Sequence, residues 1–352
     1  MTRPPSPADP LWEAVTTGDE YAATDLVTAM LDDGADPEDV LLDVIAPLQA
    51  RVGSEWAANR ITVAQEHSAT AVNERVIGAV AHHPAARRRT ADRPGRIAVA
   101  CIDGEWHALP ARLVAEVLRL RGWQVDYLGA QVPTPHLISH LHRAASIAVA
   151  LSSSIATRLP SAHQAITACQ ATGTPVLAGG AAFGHDGRYA ALLRADAWAP
   201  DARAAADRLA EGSLPKPPPV HRIIDDLPHL DDQAYAHVTR TAPELIRHVL
   251  TGLRSRFPAM ADYTDEQRDR TAEDVSHIVD FFATALYLDD PDLFTAFMRW
   301  TIGILTVRNV PARSLLPALD LLSEQVTDYP RATALLARAH ATVREHLPDT
   351  TA

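Results

Sequence analysis

The chain has 352 residues, enough for two or three domains with cores of their own, and its 44 acidic against 32 basic side chains give a net charge of −12. That balance argues against a general binder of nucleic acid or of acidic membranes, whose phosphate contacts need clustered Lys and Arg. Two cysteines, Cys101 and Cys169, exclude a disulfide framework and a cysteine zinc site, and no spanning-length apolar run or leader pattern is present, so the chain reads as soluble and cytoplasmic.

Residues 1–90 read as a small helical bundle. Asp36-Pro37 is a helix-start signal, followed by Val40, Leu41, Val44, Ile45, Leu48 and Val52 at helical spacing. Pro47 inside this stretch predicts a kink or break. A long helix is predicted from Thr62 to Val80, with Ala69, Val72, Val76, Ile77 and Val80 on one stripe. The basic cluster Arg87-Arg88-Arg89, Arg93 and Arg96 reads as a solvated joint.

Residues 91–213 alternate strand and helix. The strand candidates are Ile97–Cys101, Val125–Leu128, Ile147–Leu151, Val176–Leu177 and Ala197-Trp198. Such alternation implies a doubly wound parallel sheet with helices on both faces. After the first strand comes the loop Gly104-Glu105-Trp106-His107, then a helix expected to start at Pro110 and to close at Gly122. Residues 214–220, Leu214-Pro-Lys-Pro-Pro-Pro219, form a stiff spacer. Residues 221–352 read as helical again, with apolar stretches Asp280–Leu288 and Leu293–Leu305 around the turn Asp289-Asp290-Pro291-Asp292. The fold class is multidomain α and α/β.

The chemistry concentrates at strand ends. A histidine two residues after a carboxylate, on the loop after a buried strand, is placed as a metal ligand whose second nitrogen the acid holds. Ser152-Ser153-Ser154 ends a later strand and Gly179-Gly180 the next, giving a polar slot with close backbone approach. Glu105-x-His107, Ser152-x-Ser154 and Gly179-Gly180 together resemble the cobalamin-binding signature of methionine synthase and related corrinoid proteins, and Tyr127–Pro133 resembles the same family. Departures are Glu105 for Asp, Pro110 for Gly and Ser154 for Leu. The resemblance implies a Rossmann-like domain with His107 as the lower cobalt ligand and Glu105 behind it. Trp106 lies beside them, and Ser152, Ser154, Gly179 and Gly180 line the slot for the cofactor's nucleotide tail.

Trp56, nine intervening residues, then Glu66-His67 resembles the cap of the light-sensing cobalamin repressors of the CarH type. That likeness implies that Trp56, Glu66 and His67 cover the adenosyl group of adenosylcobalamin. Those repressors carry a DNA-binding domain and a histidine directly after the Trp. Here about ten residues precede the bundle, too few for such a domain, and Ala57 holds the second position.

The order of cap, cobalamin domain, spacer and helical domain resembles the photocobilins, photoreceptors that hold a cobalamin and a bilin, the bilin on a globin-like helical domain. A linear tetrapyrrole needs an apolar cleft and a few cations. Phe281, Phe282, Phe297, Trp300 and Ile304 supply apolar surface, and Arg254, Arg256, His277, Arg299 and Arg308 supply polar partners. Without a cysteine in this segment, biliverdin would be held non-covalently. A haem there would need an axial ligand, for which His277 is the candidate.

The resemblance implies a non-enzymatic light sensor that homo-oligomerises in a light-dependent way and signals to an unidentified output protein. The alternatives are a corrinoid methyl carrier serving a methyltransferase, and a cobalamin-binding regulator whose helical domain holds haem or nothing.

Overall fold

The computed structural model describes residues 8–87, 95–217 and 223–347. Arg88, Arg89, Arg93 and the last residues of the Pro-rich spacer lie outside the described residues. The chain divides into two compact units, Met1–His221 and Arg222–Ala352.

The first unit begins with α1 (Ala8–Thr17), α2 (Glu20–Asp32) and a short α3 (Pro37–Asp39). Asp36 caps α3 as its sequence promised, accepting from the Glu38 N–H. The break expected at Pro47 does not occur. A π-helical stretch, Val40–Ile45, leads directly into α4 (Ala46–Ala57), where Pro47 sits in the first turn. The wider turn removes the need for the proline's missing N–H, so the chain stays helical. Thr62 forms a capping box with Gln65 and starts α5 (Val63–His82).

An all-parallel sheet follows: β1 (Arg96–Cys101), β2 (Gln124–Gly129), β3 (Ala148–Ser152), β4 (Val176–Gly179) and β5 (Ala197–Ala199), in spatial order β2-β1-β3-β4-β5. The connections are α6 (Ala108–Leu120), α7 (Thr134–Ala144), α8 (Leu159–Ala171) and α9 (Arg188–Leu192), with α10 (Ala202–Ala210) closing the unit. Pro110 is the third residue of α6, not the first. His107 precedes that helix, and Pro110 still falls within the first turn, where its N–H is dispensable.

Strand alternation sorts the core into two layers. Ile97, Val99, Cys101, Ala148, Ala150 and Leu177 join α6, α10 and the helical bundle in one continuous apolar core. The intervening Ala98, Ala100, Val149 and Ala178 are equally buried but belong to the other layer, where α7 and α8 pack together. The core therefore runs unbroken from bundle to sheet across residue 90. Ion pairs reinforce the seam. Arg121 holds both oxygens of Glu38 at 2.7 Å and reaches Asp207, and Arg203 pairs with Asp39 and Asp43. Both cysteines are free and buried, and burial pushes each thiol up to about 12.

The second unit is all helical: α11 (Ile223–Asp226), α12 (Ala234–Arg256), α13 (Asp265–Leu288), α14 (Pro291–Val307), α15 (Leu315–Glu324) and α16 (Pro330–His346). The predicted turn is made by Asp289 in the left-handed region and by Asp290, whose carboxylate caps α14. Arg331 ties this corner together, donating to the Leu286 carbonyl and to Asp232 and Asp289. Among the described residues no helix is long and apolar enough to cross a membrane.

Phe282 is wholly buried in the core of the second unit, 5.7 Å from the Phe294 ring. Phe282→Ala should cost about 3–5 kcal/mol, read as a lowered urea midpoint for the second unit.

Candidate ligand site at the sheet edge

In an open sheet of this strand order, the connections after β1 and β3 leave in opposite directions and open a crevice at the carboxyl ends of the strands. The loop Ile102–His107 follows β1 and the segment Ser153–Arg158 follows β3. Between them lies Glu105, only 1% exposed.

A buried carboxylate is costly unless its lone pairs are filled. Here Oε1 accepts from the His107 backbone N–H at 3.0 Å and from His107 Nδ1 at 2.6 Å. Oε2 accepts from the N–H groups of Ser154 at 2.7 Å and Ile155 at 3.2 Å, and from Ser153 Oγ at 3.3 Å. Burial pushes the Glu105 pKa upward, but the bonds from His107, Ser154 and Ile155 outweigh it and bring it to about 2. The backbone of the loop is held as well, since Gln131 N–H donates to the Glu105 carbonyl and Val132 N–H to that of Cys101.

His107 is half exposed, with Nδ1 committed to Glu105. That bond sets the tautomer that leaves Nε2 as the atom for an outside ligand. The Glu105 bond raises the His107 pKa above 6.5, burial opposes it, and the charges of Glu105 and Glu66 add to the rise. Among the described residues no three His, Cys, Asp or Glu side chains are grouped to hold a metal ion. A metal at His107 must therefore arrive with most of its own ligands.

Beside this loop a cavity of about 360 Å³ runs between α6, α10 and the sheet, in the size range of small-molecule sites. Ser152, Gly179 and Gly180 line it, together with Leu109, Leu113 and Ala202. Gly180 sits at φ +97°, and a Cβ there would lie 2.2 Å from the Ser153 carbonyl oxygen. A Cβ on Gly179 would reach the Ala199 carbonyl oxygen at 3.3 Å. The slot exists because these two positions lack side chains. The bundle contributes Leu42, Ala46, Gln49 and Ala50 to the same wall.

Ser154 works differently from its sequence reading, since its backbone N–H meets Glu105. The serine hydroxyl on that carboxylate belongs to Ser153, which the pattern Ser-x-Ser passed over. Burial was the missing signal, because sequence alone cannot tell which of three consecutive serines points inward.

Trp56 lies in the last turn of α4, before Ala57, and Glu66-His67 lies near the start of α5, so all three occupy the same end of this helix pair. The charge of Glu66 adds a small rise to the His107 pKa. His67 is exposed and its Nδ1 meets Glu66 Oε2 at 2.9 Å. Trp106 is 62% exposed on the loop itself.

In the second unit, Phe281 and Phe297 stack at 3.8 Å and Trp300 extends the row, half exposed. His277 and Arg308 both act on Asp274, whose pKa burial raises. Arg256 is committed to Glu324, with Arg254 exposed two residues before it.

Residues 7–81 match a family model described as B12 binding domain, and residues 95–209 match a second model of the same description. Among solved structures, the Methanosarcina barkeri monomethylamine corrinoid protein is 19% identical over 58% of this chain and 97% of its own, with a TM-score of 0.51. A cobalamin-binding protein of Desulfitobacterium hafniense DCB-2 is 18% identical over 58% of this chain and 97% of its own, with a TM-score of 0.32. No match is found among curated proteins. The two family matches make the first unit a cobalamin-binding one, and the Methanosarcina structure shares its fold.

Cobalamin brings cobalt already ringed by its own nitrogens, which suits a site with one protein nitrogen to offer. His107→Ala should abolish a histidine-ligated cobalamin spectrum and weaken binding. Because the folded-state His107 pKa lies above 6.5, the stability it contributes is complete below that value and fades as the pH rises through the raised one. For Glu105, at about 2, the contribution is complete above 4.5 and is lost as the pH falls towards 2. Glu105→Gln should lower the His107 midpoint, measured by imidazole NMR titration of the cobalamin-free protein.

Proposed function

We infer that this cobalamin-binding protein is a light sensor rather than an enzyme, holding adenosylcobalamin between His107 and the cap. The reading is supported by the placement of Trp56, Glu66 and His67 at the adjoining ends of α4 and α5, with the charge of Glu66 among those that raise the His107 pKa. A methyl group needs no cover of that size. An adenosyl group offers a flat base for Trp56 to pack on and polar edges for Glu66 and His67 to bond.

Bound adenosylcobalamin supplies a weak cobalt–carbon bond that visible light breaks. The residues of this chain set the two states around that event. In the dark Trp56 and Glu66 hold the adenosyl group and the cap stays docked. Without that group their contacts would be absent, and the cap would be free to move or to assemble with a second copy. Ala57 stands where the light-sensing repressors carry a histidine, so any upper ligand after photolysis has to come from elsewhere, and His67 is the nearest exposed imidazole in the sequence.

The second unit is proposed to be globin-like and to hold biliverdin without a covalent bond, widening the absorbed spectrum. Support comes from the stacked Phe281–Phe297 pair, half-exposed Trp300 and the neighbouring His277 and Arg308. The signal would pass to a separate output protein in the cytoplasm.

The fold shared with a monomethylamine corrinoid protein keeps methyl carriage as the rival. Protein purified in the dark with adenosylcobalamin and biliverdin should change both spectrum and size-exclusion profile after green light, and respond to red light only when biliverdin is present. A profile indifferent to light would favour the methyl carrier. Trp56→Ala should alter the photolysis rate or the light-dependent assembly, and identical behaviour would remove Trp56 from the mechanism.

A further inference from the structure

Within the bundle, from Asn73 to Glu66, runs a chain of three side-chain hydrogen bonds in which every donor points the same way. Asn73 Nδ2 donates to Gln49 Oε1 at 2.7 Å. Gln49 Nε2 donates to Thr70 Oγ1 at 2.8 Å. Thr70 Oγ1 donates to Glu66 Oε1 at 3.1 Å. His67 Nδ1 closes the far side by meeting Glu66 Oε2 at 2.9 Å. Asn73 is 1% exposed, so the chain is anchored in the core of the bundle. Glu66, Thr70 and Asn73 are spaced four and three residues apart and share one face of α5, while Gln49 reaches across from α4. Gln49 also lines the tail cavity beside the sheet.

We propose that Thr70 and Gln49 are positioning residues that aim the Glu66 carboxylate at the upper-face group of the cobalamin and couple that aim to the wall of the tail slot. The inference rests on the reading that Glu66 faces the adenosyl group. An acid on the first turn of a helix has several rotamers, and an undirected one would bond an adenosyl edge only after giving up that freedom. The bond from Thr70 occupies a lone pair of Oε1, and the His67 imidazole lies beside Oε2. Consecutive bonds of one polarity strengthen one another and end on a charge, where a hydrogen bond is strongest. Because Gln49 has its amide in this chain, displacement of the cavity wall moves the partner of Thr70. The adenosyl cover and the tail slot are thereby linked through three side chains and no backbone hinge.

The test compares dark affinities for adenosylcobalamin and methylcobalamin in the full chain, with hydroxocobalamin binding as the control for folding. Thr70→Val keeps the shape and removes the hydroxyl, and should lower the adenosyl-to-methyl affinity ratio about tenfold. Thr70→Ser should restore it. Glu66→Ala should lower the ratio at least as far. A wild-type ratio in Thr70→Val beside a lowered one in Glu66→Ala overturns the relay and leaves the adenosyl reading standing. A wild-type ratio in Glu66→Ala overturns both. Should Thr70→Val fail to bind hydroxocobalamin, Gln49→Leu carries the test, and it must lower the ratio for the relay to hold.

Discussion

A carboxylate buried to 1% exposure is the element on which the ligand site depends. Glu105 is tolerable there only because three backbone N–H groups, one imidazole and one serine hydroxyl converge on it. Those donors come from two connections, after β1 and after β3, so the acid stitches the two sides of the crevice together. It also sets the imidazole tautomer, turns Nε2 outward and holds the loop closed on its own backbone. On the neighbouring strand end, the Ser153 carbonyl lies where a Cβ at position 180 would have to be, and the Ala199 carbonyl crowds position 179.

The second constraint is the shared core of bundle and sheet. An α/β layer with small residues on α10, Ala202, Ala205 and Ala206, leaves room between helix and strands, and the bundle covers what remains. Arg121 and Arg203 then set the bundle's register through Glu38, Asp39 and Asp43, all at or next to the π-helical stretch. Those ion pairs are partly exposed and each contributes little, so the shared apolar core is the larger part of what joins bundle and sheet. The polar chain from Asn73 to Glu66 lies within the bundle and moves with it.

The second unit has a different economy. Its core is built from helix-spaced Leu, Phe and Val, its corner is tied by Arg331, and its row of Phe281, Phe297 and Trp300 continues from the core to the surface. The stacked row ends in half-exposed Trp300.

Much of this was legible in the chain itself. Apolar runs of strand length alternating with helical stripes dictated a parallel sheet, and Asp36-Pro37, Thr62 and Asp290-Pro291 marked helix starts, because caps and periodicity are local properties. Glu105-x-His107, Gly179-Gly180 and Trp56 with Glu66-His67 were visible because their spacing is fixed within one loop or helix. Only the tertiary structure decided that Ser153 supplies the hydroxyl, that Ser154 acts through its backbone, that a π turn absorbs Pro47, and that Gln49 and Thr70 join Glu66 to the slot. Each depends on which groups meet across elements far apart in the chain, and on how much water is left between them. A sequence states residue order and local preference, whereas burial and long-range hydrogen-bond partners arise only when the layers pack.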